Sequence, residues 1–260
     1  MTTLILGGTG KTGRRVARRI DNARVASRAH GFDLDDPAGW TLAGVTAGYL
    51  VEPDLQAASR LPRFIDHAVA AGVSRLVLLS APRAGEEGHP LHAAEQAVRS
   101  SGAEWTILRP QWFAQNFSEG PWVPGIRDGV LALPAGGGGA PFIDAEDIAD
   151  VAAAALTDDR HAGRVYDLTG PRTVGFGEAV GLIARAAGRE IEYVDVEPEA
   201  FVERQIAHGV PENVARLLTG LLTDLREGRG ADVGDGVERA LGRPPRTFEE
   251  FVRATSWSLS

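Results

Sequence analysis

The chain has 260 residues, no cysteine and a net charge of −8, and Lys11 is its sole lysine. The missing cysteine excludes disulfides, thiolate metal sites and cysteine nucleophiles, and the acidic balance argues against a nucleic-acid footprint. No apolar run reaches the roughly 20 residues that span a bilayer, and the N-terminus passes into a strand with no leader, so no membrane partner and a cytoplasmic location are expected.

In chain order, Thr3–Leu6 is predicted as a strand. Thr12–Ile20 follows as a helix, with Arg14, Arg15, Arg18 and Arg19 on an outer face. Arg24–Ser27 reads as a second strand and Gly31–Asp33 as a brief third. Asp35-Asp36-Pro37 opens a turn or helix by capping chemistry. Val45–Val51 is a strand. Leu55–Ala71 is a helix with Leu61, Phe64, Ile65, Ala68 and Val69 on one stripe. Arg75–Ser80 is almost continuously apolar, as strands buried on both faces are. Leu91–Ser101 reads as a helix closed by Gly102, and Trp105–Arg109 as a strand stopped by Pro110. Strands alternating with helices at this spacing predict an α/β fold: a Rossmann-type, doubly wound parallel sheet with helices on both faces. Loops at the strand C-terminal ends then line one crevice.

Residues 1–117 are expected to form this core. Residues 118–260 are expected to add further core elements and a small C-terminal substrate-binding cap, all one integrated unit. Ala135–Ala140 reads as a flexible loop able to cover a site. Asp144–Leu156 is an Ala-rich helix, Arg164–Leu168 a strand, Phe176–Ala187 a helix and Ile191–Val196 a strand. Ala200–Arg226 is largely helical with a break at 209–211, and Thr247–Thr255 is the last helix. Leu217, Leu218, Leu221, Leu222 and Leu225 form an apolar stripe, either cap core or dimer face, so monomer and homodimer both stay open.

The run Gly7-Gly8-Thr9-Gly10-Lys11-Thr12-Gly13 follows the first strand and opens a helix, the context in which a dinucleotide diphosphate is held. Gly7 allows the tight turn, Gly10 the approach of the phosphates and Gly13 close helix packing. Thr9 and Thr12 can donate hydroxyls, and Lys11 belongs to the loop. At the end of the second strand, where an NAD site usually carries an acid, stand Ser27 and Arg28. A guanidinium and a hydroxyl suit a 2′-phosphate, so NADP is expected over NAD. The alternative is a solvated arginine. Asp33 is placed near the adenine or in a cap. No metal-ligand spacing and no Gly-x-Ser-x-Gly elbow is present.

The glycine loop, Ser80, Trp105-Thr106-Ile107-Leu108-Arg109-Pro110, Trp112-Phe113, Asn116-Phe117, Asp147-Ile148-Ala149, Tyr166-Asp167-Leu168-Thr169-Gly170-Pro171 and Leu241-Gly242-Arg243-Pro244-Pro245 occur in an order that resembles the NmrA-like branch of the atypical short-chain dehydrogenases. The C-terminal part is similar to bacterial relatives of reductases that act on iminium intermediates of ergot alkaloids. The link Asp21-Asn22-Ala23 is shorter than in that family and the third-strand region is compressed.

The resemblance implies an NADP(H)-dependent oxidoreductase of a small organic substrate: an iminium ion, a quinone, an activated C=C bond or a carbonyl. Short-chain dehydrogenases usually use a Tyr-x-x-x-Lys dyad. None of Tyr49, Tyr166 and Tyr193 is followed by lysine at that spacing. His92 and Glu95, three apart on one helix face, are the candidate proton donor or orienting pair, or else ordinary polar residues. The family counterpart of Ser80 lines the cofactor cleft, the alternative being a strand-terminal serine that satisfies backbone groups, and Pro110 falls at a strand C-terminal end around the same groove. Trp112, Phe113, Gln115 and Asn116 lie in the segment that faces the nicotinamide, with Asn116 and Trp112 expected near the ligand and Phe113 mostly packing. The other reading of the chain is a non-catalytic NADP(H)-binding sensor, with a cofactor-recycling isomerase or dehydratase as a third.

Overall fold

A computed structural model describes residues 2–52 and 60–258. In chain order its helices and strands are β1 (Thr2–Leu6), α1 (Gly13–Ala17), β2 (Ala23–Ala26), β3 (Val45–Val51), α2 (Arg60–Ala70), β4 (Arg75–Leu79), α3 (His92–Ser100), β5 (Glu104–Pro110), α4 (Asn116–Glu119), α5 (Val123–Asp128), β6 (Val130–Leu133), β7 (Gly139–Ala140), α6 (Ala145–Thr157), β8 (Arg164–Leu168), β9 (Val174–Gly175), α7 (Phe176–Ala187), β10 (Glu192–Asp195), α8 (Pro198–Ala207), α9 (Glu212–Arg226), α10 (Gly236–Leu241) and α11 (Phe248–Ala254). The start of the helix expected from Leu55 lies outside the described residues. No described helix is long and apolar enough to cross a membrane.

The chain divides into two compact units. The first comprises Met1–Gln111, Ala145–Leu168 and Asp235–Pro245. Its sheet runs β2-β1-β3-β4-β5-β8 with every neighbouring pair parallel. Side chains alternate across the pleat. Leu4, Leu6, Leu50, Leu76, Leu78 and Ile107 therefore share one buried cluster with Leu61, Phe64 and Ile65 of α2 and Ala94 and Val98 of α3. Helices α1, α6 and α10 form a second layer, with α6 also touching β3, β4 and β5. The doubly wound sheet expected from the alternation is thus present.

Within this unit two expectations need correction. Gly31–Asp33 is not a strand: after β2 the chain takes single 3-10 turns at Arg28–His30 and Pro37–Gly39. Phe32, Leu34 and Trp40 are buried there, with Phe32 and Trp40 edge-on to Phe64. Apolar burial, not strand pairing, decided the path of this segment. The capping reading of Asp36 holds, since its carboxylate accepts from the Ala38 amide at 3.2 Å. Secondly, the helix expected over Thr12–Ile20 is only Gly13–Ala17, with Arg18 as its C-cap, and the arginines in and after it do not all form an outer face. Arg15 pairs with Glu146 at 2.7 Å, and Arg19 with Glu146 and Asp150, both at 2.6 Å. Arg243 adds bonds to Asp147 at 2.8 Å and Asp150 at 2.6 Å. The acidic first turns of α6 thus meet arginines from two parts of the chain, which gives Asp147 and Arg243 of the two motifs a structural role.

The second unit comprises Trp112–Asp144, Thr169–Gly234 and Arg246–Ser260. It holds a parallel pair β10-β6, an antiparallel pair β7-β9, and an aromatic core of Phe117, Trp122, Phe142, Phe176 and Phe248. The glycine run is not a loose loop. Gly139–Ala140 is paired with Val174–Gly175, Gly136 donates its amide to Asp195 at 2.9 Å, and a Cβ on Gly138 would stand 2.1 Å from the Leu225 carbonyl oxygen. These glycines let backbones approach closely, so their composition misled the flexibility reading. The leucine stripe of α9 is split. Leu222 and Leu225 are buried and Leu218 packs against the core, whereas Leu217 and Leu221 are exposed. Helices α4 and α5 and strand β6 gave no clear periodicity because each spans four to six residues.

Candidate functional site

The first unit's parallel sheet forks at β1, which pairs with β2 on one side and β3 on the other. Crevices of open α/β sheets lie at such forks, outside the strand C-terminal ends. The glycine loop leaves β1 at this point. Gly7 has φ +63° and donates its amide to the Ala26 carbonyl at the end of β2, at 2.9 Å. A Cβ on Gly7 would come within 2.6 Å of Val51, the last residue of β3. A Cβ on Gly13 would stand 2.3 Å from the Gly7 carbonyl oxygen, so only glycine lets α1 seat against the turn. Gly8 is equally constrained, with Val25 at 2.8 Å and the Ile5 carbonyl oxygen at 2.9 Å from a Cβ there. At Gly10 the sole near atom is the Gly7 carbonyl oxygen at 3.1 Å. That contact is tight but short of a clash, and the space on the other sides of Gly10 is open to a ligand.

Thr9 is exposed, but Thr12 is buried. Its Oγ1 accepts a 2.9 Å bond from the Tyr49 hydroxyl of β3, which ties the loop to the sheet. Burial drives the Tyr49 hydroxyl well above the ordinary phenol range, so it stays a donor. Lys11 sits among cations. Burial, then the charges of Arg15 and Arg14, bring its ammonium down to about 8.

At the end of β2, Ser27 and His30 are joined side chain to side chain at 2.8 Å across the 3-10 turn. Arg28 is exposed and makes no ion pair among the described residues. His30, absent from the sequence reading, adds a third polar group beside Ser27 and Arg28. Asp33 is engaged locally: its carboxylate accepts from the Asp35 amide at 3.0 Å and its carbonyl from the Trp40 indole at 2.8 Å.

The structure joins Ser80 to Glu95, but as a closed network. Ser80, just past β4, donates its hydroxyl to Glu95 at 2.7 Å. Arg109 of β5 clasps the same carboxylate with two bonds of 2.9 and 2.6 Å. The Glu95 side chain is 0% exposed. Burial would raise its carboxyl, but the bonds from Arg109 and Ser80 outweigh it, so Glu95 is held below the usual carboxylate range. A buried carboxylate with this many donors is an anion, not an acid. His92 makes no part of that network. Its Nδ1 lies 3.0 Å from the Gly85 carbonyl oxygen, which can only accept, so Nδ1 is the donor in that bond. A Cβ on Gly85 would strike the Arg109 guanidinium at 2.6 Å. Arg109 and Gly85 were missed as a pair because they are 24 residues apart in sequence.

Pro110 ends β5 in the first unit. Trp112, Phe113 and Asn116 belong to the second. Trp112 is half-buried and stacks on Trp122 with centroids 5.5 Å apart. Phe113 bridges to Ile143, and Asn116 begins α4. Gln115 is buried and donates to Asp144 at 2.7 Å, so it holds the fold together.

Residues 41–159 match a family model described as NAD(P)H-binding. Prestalk A differentiation protein A of Dictyostelium discoideum is 31% identical over 98% of this chain and 92% of its own. An uncharacterised oxidoreductase of Bacillus subtilis, YesF, is 35% identical over 96% of this chain and 94% of its own. Festuclavine dehydrogenase of Aspergillus fumigatus is 30% identical over 97% of each. Among solved structures, the NADPH-dependent quinone oxidoreductase of Escherichia coli in complex with NADPH superposes with a TM-score of 0.80 at 24% identity, covering 97% of this chain and 98% of that one. The chain belongs to the family of NAD(P)-dependent oxidoreductases that these relatives represent, and it shares its fold with a solved NmrA structure at 14% identity and a TM-score of 0.69.

Proposed function

We propose that the protein uses NADPH to reduce small conjugated acceptors, namely iminium ions, quinones or activated C=C bonds, without a tyrosine acid. The closed Ser80–Glu95–Arg109 network carries this reading. The hydroxyl that a dyad enzyme would turn to a substrate carbonyl is donated to Glu95 here, and Glu95 is locked as an anion. A plain carbonyl reduction needs a proton at oxygen, for which His92, a water or the substrate itself remain the sources. An iminium ion is neutralised by hydride alone, and a reduced quinone spreads its charge until water protonates it. The quinone and festuclavine activities named for the relatives above fall within this class.

The open space at Gly10 fits a diphosphate, which the turn from Gly7 to Gly13 would hold with Thr9 and Lys11. Ser27, Arg28 and His30 would hold a 2′-phosphate. NADPH, when bound, supplies the hydride. Trp112, backed by Trp122, offers a flat face of the kind conjugated molecules stack on, so we assign substrate recognition to the second unit.

Purified protein mixed with NADPH and a panel of quinones, imines and enones is expected to consume the cofactor steadily. Tight NADPH binding with no turnover on any member would overturn the reductase reading in favour of a sensor.

Arg28→Ala should weaken NADPH binding by about tenfold or more, the worth of a charge-assisted phosphate contact. NADH binding should change little. Calorimetry with both nucleotides checks this, and equal losses would remove Arg28 from the 2′-phosphate. The pH dependence of binding tests Lys11. Its ammonium loses the proton as pH rises through about 8, and a bound diphosphate would hold that proton on. NADPH should therefore bind more weakly as pH rises from 7 to beyond 8, by at most about tenfold per unit. Lys11→Met should flatten the profile.

A further inference from the structure

A cavity of about 450 Å³ in the first unit is lined by Arg160, His161, Arg164, Tyr166, Arg239 and neighbouring residues of α10, with no carboxylate among them. It lies by β8, the edge strand of the parallel sheet, which starts at Arg164. The glycine loop leaves the opposite, C-terminal edge of that sheet.

The proton positions follow from the bonds. Arg160 Nε can only donate, and it reaches His161 Nε2 at 3.4 Å. His161 Nδ1 therefore carries the ring proton and donates to the Tyr166 hydroxyl oxygen at 2.9 Å. Burial lowers the affinity of His161 for a second proton, consistent with that neutral ring. The Tyr166 hydroxyl keeps its own proton for another acceptor. The ring of Tyr166 is buried, with the Arg239 guanidinium 5.5 Å from its centroid. His161 is itself fixed, since Thr106 donates to its carbonyl at 2.8 Å.

Two arginines have partial counter-charges. Arg160 pairs with Asp158 at 2.9 Å and Arg239 with Asp235 at 3.3 Å, and both carboxylates are exposed. Arg164 is exposed and has no ion pair among the described residues. Three arginines from three parts of the chain thus line one cavity with Tyr166, and no acidic residue is among the lining. Exposed carboxylates offset two of these charges in part, and the charge of Arg164 is the surplus that an incoming anion would meet.

We infer that this cavity is a second anion site, separate from the nucleotide, and that it takes a phosphate group held by Arg164, Arg239 and the Tyr166 hydroxyl. Arginine suits phosphate because its planar fork offers paired donors. The phosphate could be free or carried by a small monoester.

Isothermal titration calorimetry at constant ionic strength tests the site with two probes, inorganic phosphate and glycerol 3-phosphate, each with and without saturating NADPH. Saturable binding that NADPH does not displace is expected. Tighter binding of glycerol 3-phosphate would identify a phosphorylated small molecule as the ligand; equal or weaker binding would identify free phosphate. Arg164→Gln and Arg239→Gln should each weaken binding about tenfold, and Tyr166→Phe a few-fold. Arg164 is exposed, so its variant decides the matter should a change at Arg239 disturb the fold. No saturable heat from either probe would overturn the assignment. So would displacement by NADPH, which would place the anion in the nucleotide site, or unchanged affinity in Arg164→Gln, which would mean an adventitious ion only.

Discussion

Gly13→Ala is expected to abolish detectable NADPH binding and to lower the unfolding free energy by about 2–3 kcal/mol, the usual effect of forcing a methyl group into packed structure. The new Cβ would stand 2.3 Å from the Gly7 carbonyl oxygen, 2.7 Å from its carbon and 2.8 Å from the Gly8 Cα. All three are backbone atoms and cannot rotate away. Helix α1 would have to retreat from the turn, yet it and the residues just after it are tied to α6 through Arg15–Glu146 and Arg19–Asp150. Gly10→Ala is the informative contrast. Its single near contact is 3.1 Å, so the fold should lose no more than about 1 kcal/mol. A phosphate approaching that backbone would nonetheless meet the methyl group. Denaturant titration and calorimetry together should show Gly10→Ala stable but poor in NADPH binding, and Gly13→Ala deficient in both. Full NADPH affinity in Gly10→Ala would remove the diphosphate from this loop.

The parts legible in the sequence are those with one dominant local cause. The strand at Val45–Val51, the strand at Arg164–Leu168 and the helix at Phe176–Ala187 lie where apolar runs and periodicity put them. The turn at Gly7 follows from a glycine between a strand and a helix. What escaped reading depends on partners distant in sequence. The basic face of α1 looks solvated until Glu146, 131 residues from Arg15, is brought against it. The glycines at 136–139 look flexible until Leu225 and Val174 are packed on them. Gly31–Asp33 resembles a strand until Phe32 and Trp40 find Phe64. Within the candidate site the same division holds. His92 and Glu95 share a helix, and spacing suggests one function for both. Their surroundings separate them, because Arg109 and Ser80 enclose Glu95, whereas His92 leans on the Gly85 carbonyl.

That separation gives the second large expectation. Glu95→Ala should destabilise the protein by about 3–5 kcal/mol, since it strands the Arg109 guanidinium beside an emptied buried position. Glu95→Gln keeps an oxygen for one of the bonds and should lose about 1–3 kcal/mol. The difference must depend on pH in a defined direction. Burial raises the Glu95 carboxyl, the bonds from Arg109 and Ser80 lower it further, and the net position is below the unfolded-state value. A native carboxylate so placed contributes its full stabilisation above the unfolded value of about 4.3 and loses it as pH falls through that value toward the native one. Urea titrations should therefore show wild type and Glu95→Gln furthest apart near neutrality and converging in acid. Turnover assayed on folded protein, well below the melting temperature, should be reduced far less in Glu95→Gln than loss of a catalytic acid would reduce it, commonly by two to four powers of about ten. If instead Glu95→Gln kept wild-type stability and lost turnover on that scale, Glu95 would be a reacting group, and the enclosed anion described above would have to open during the reaction.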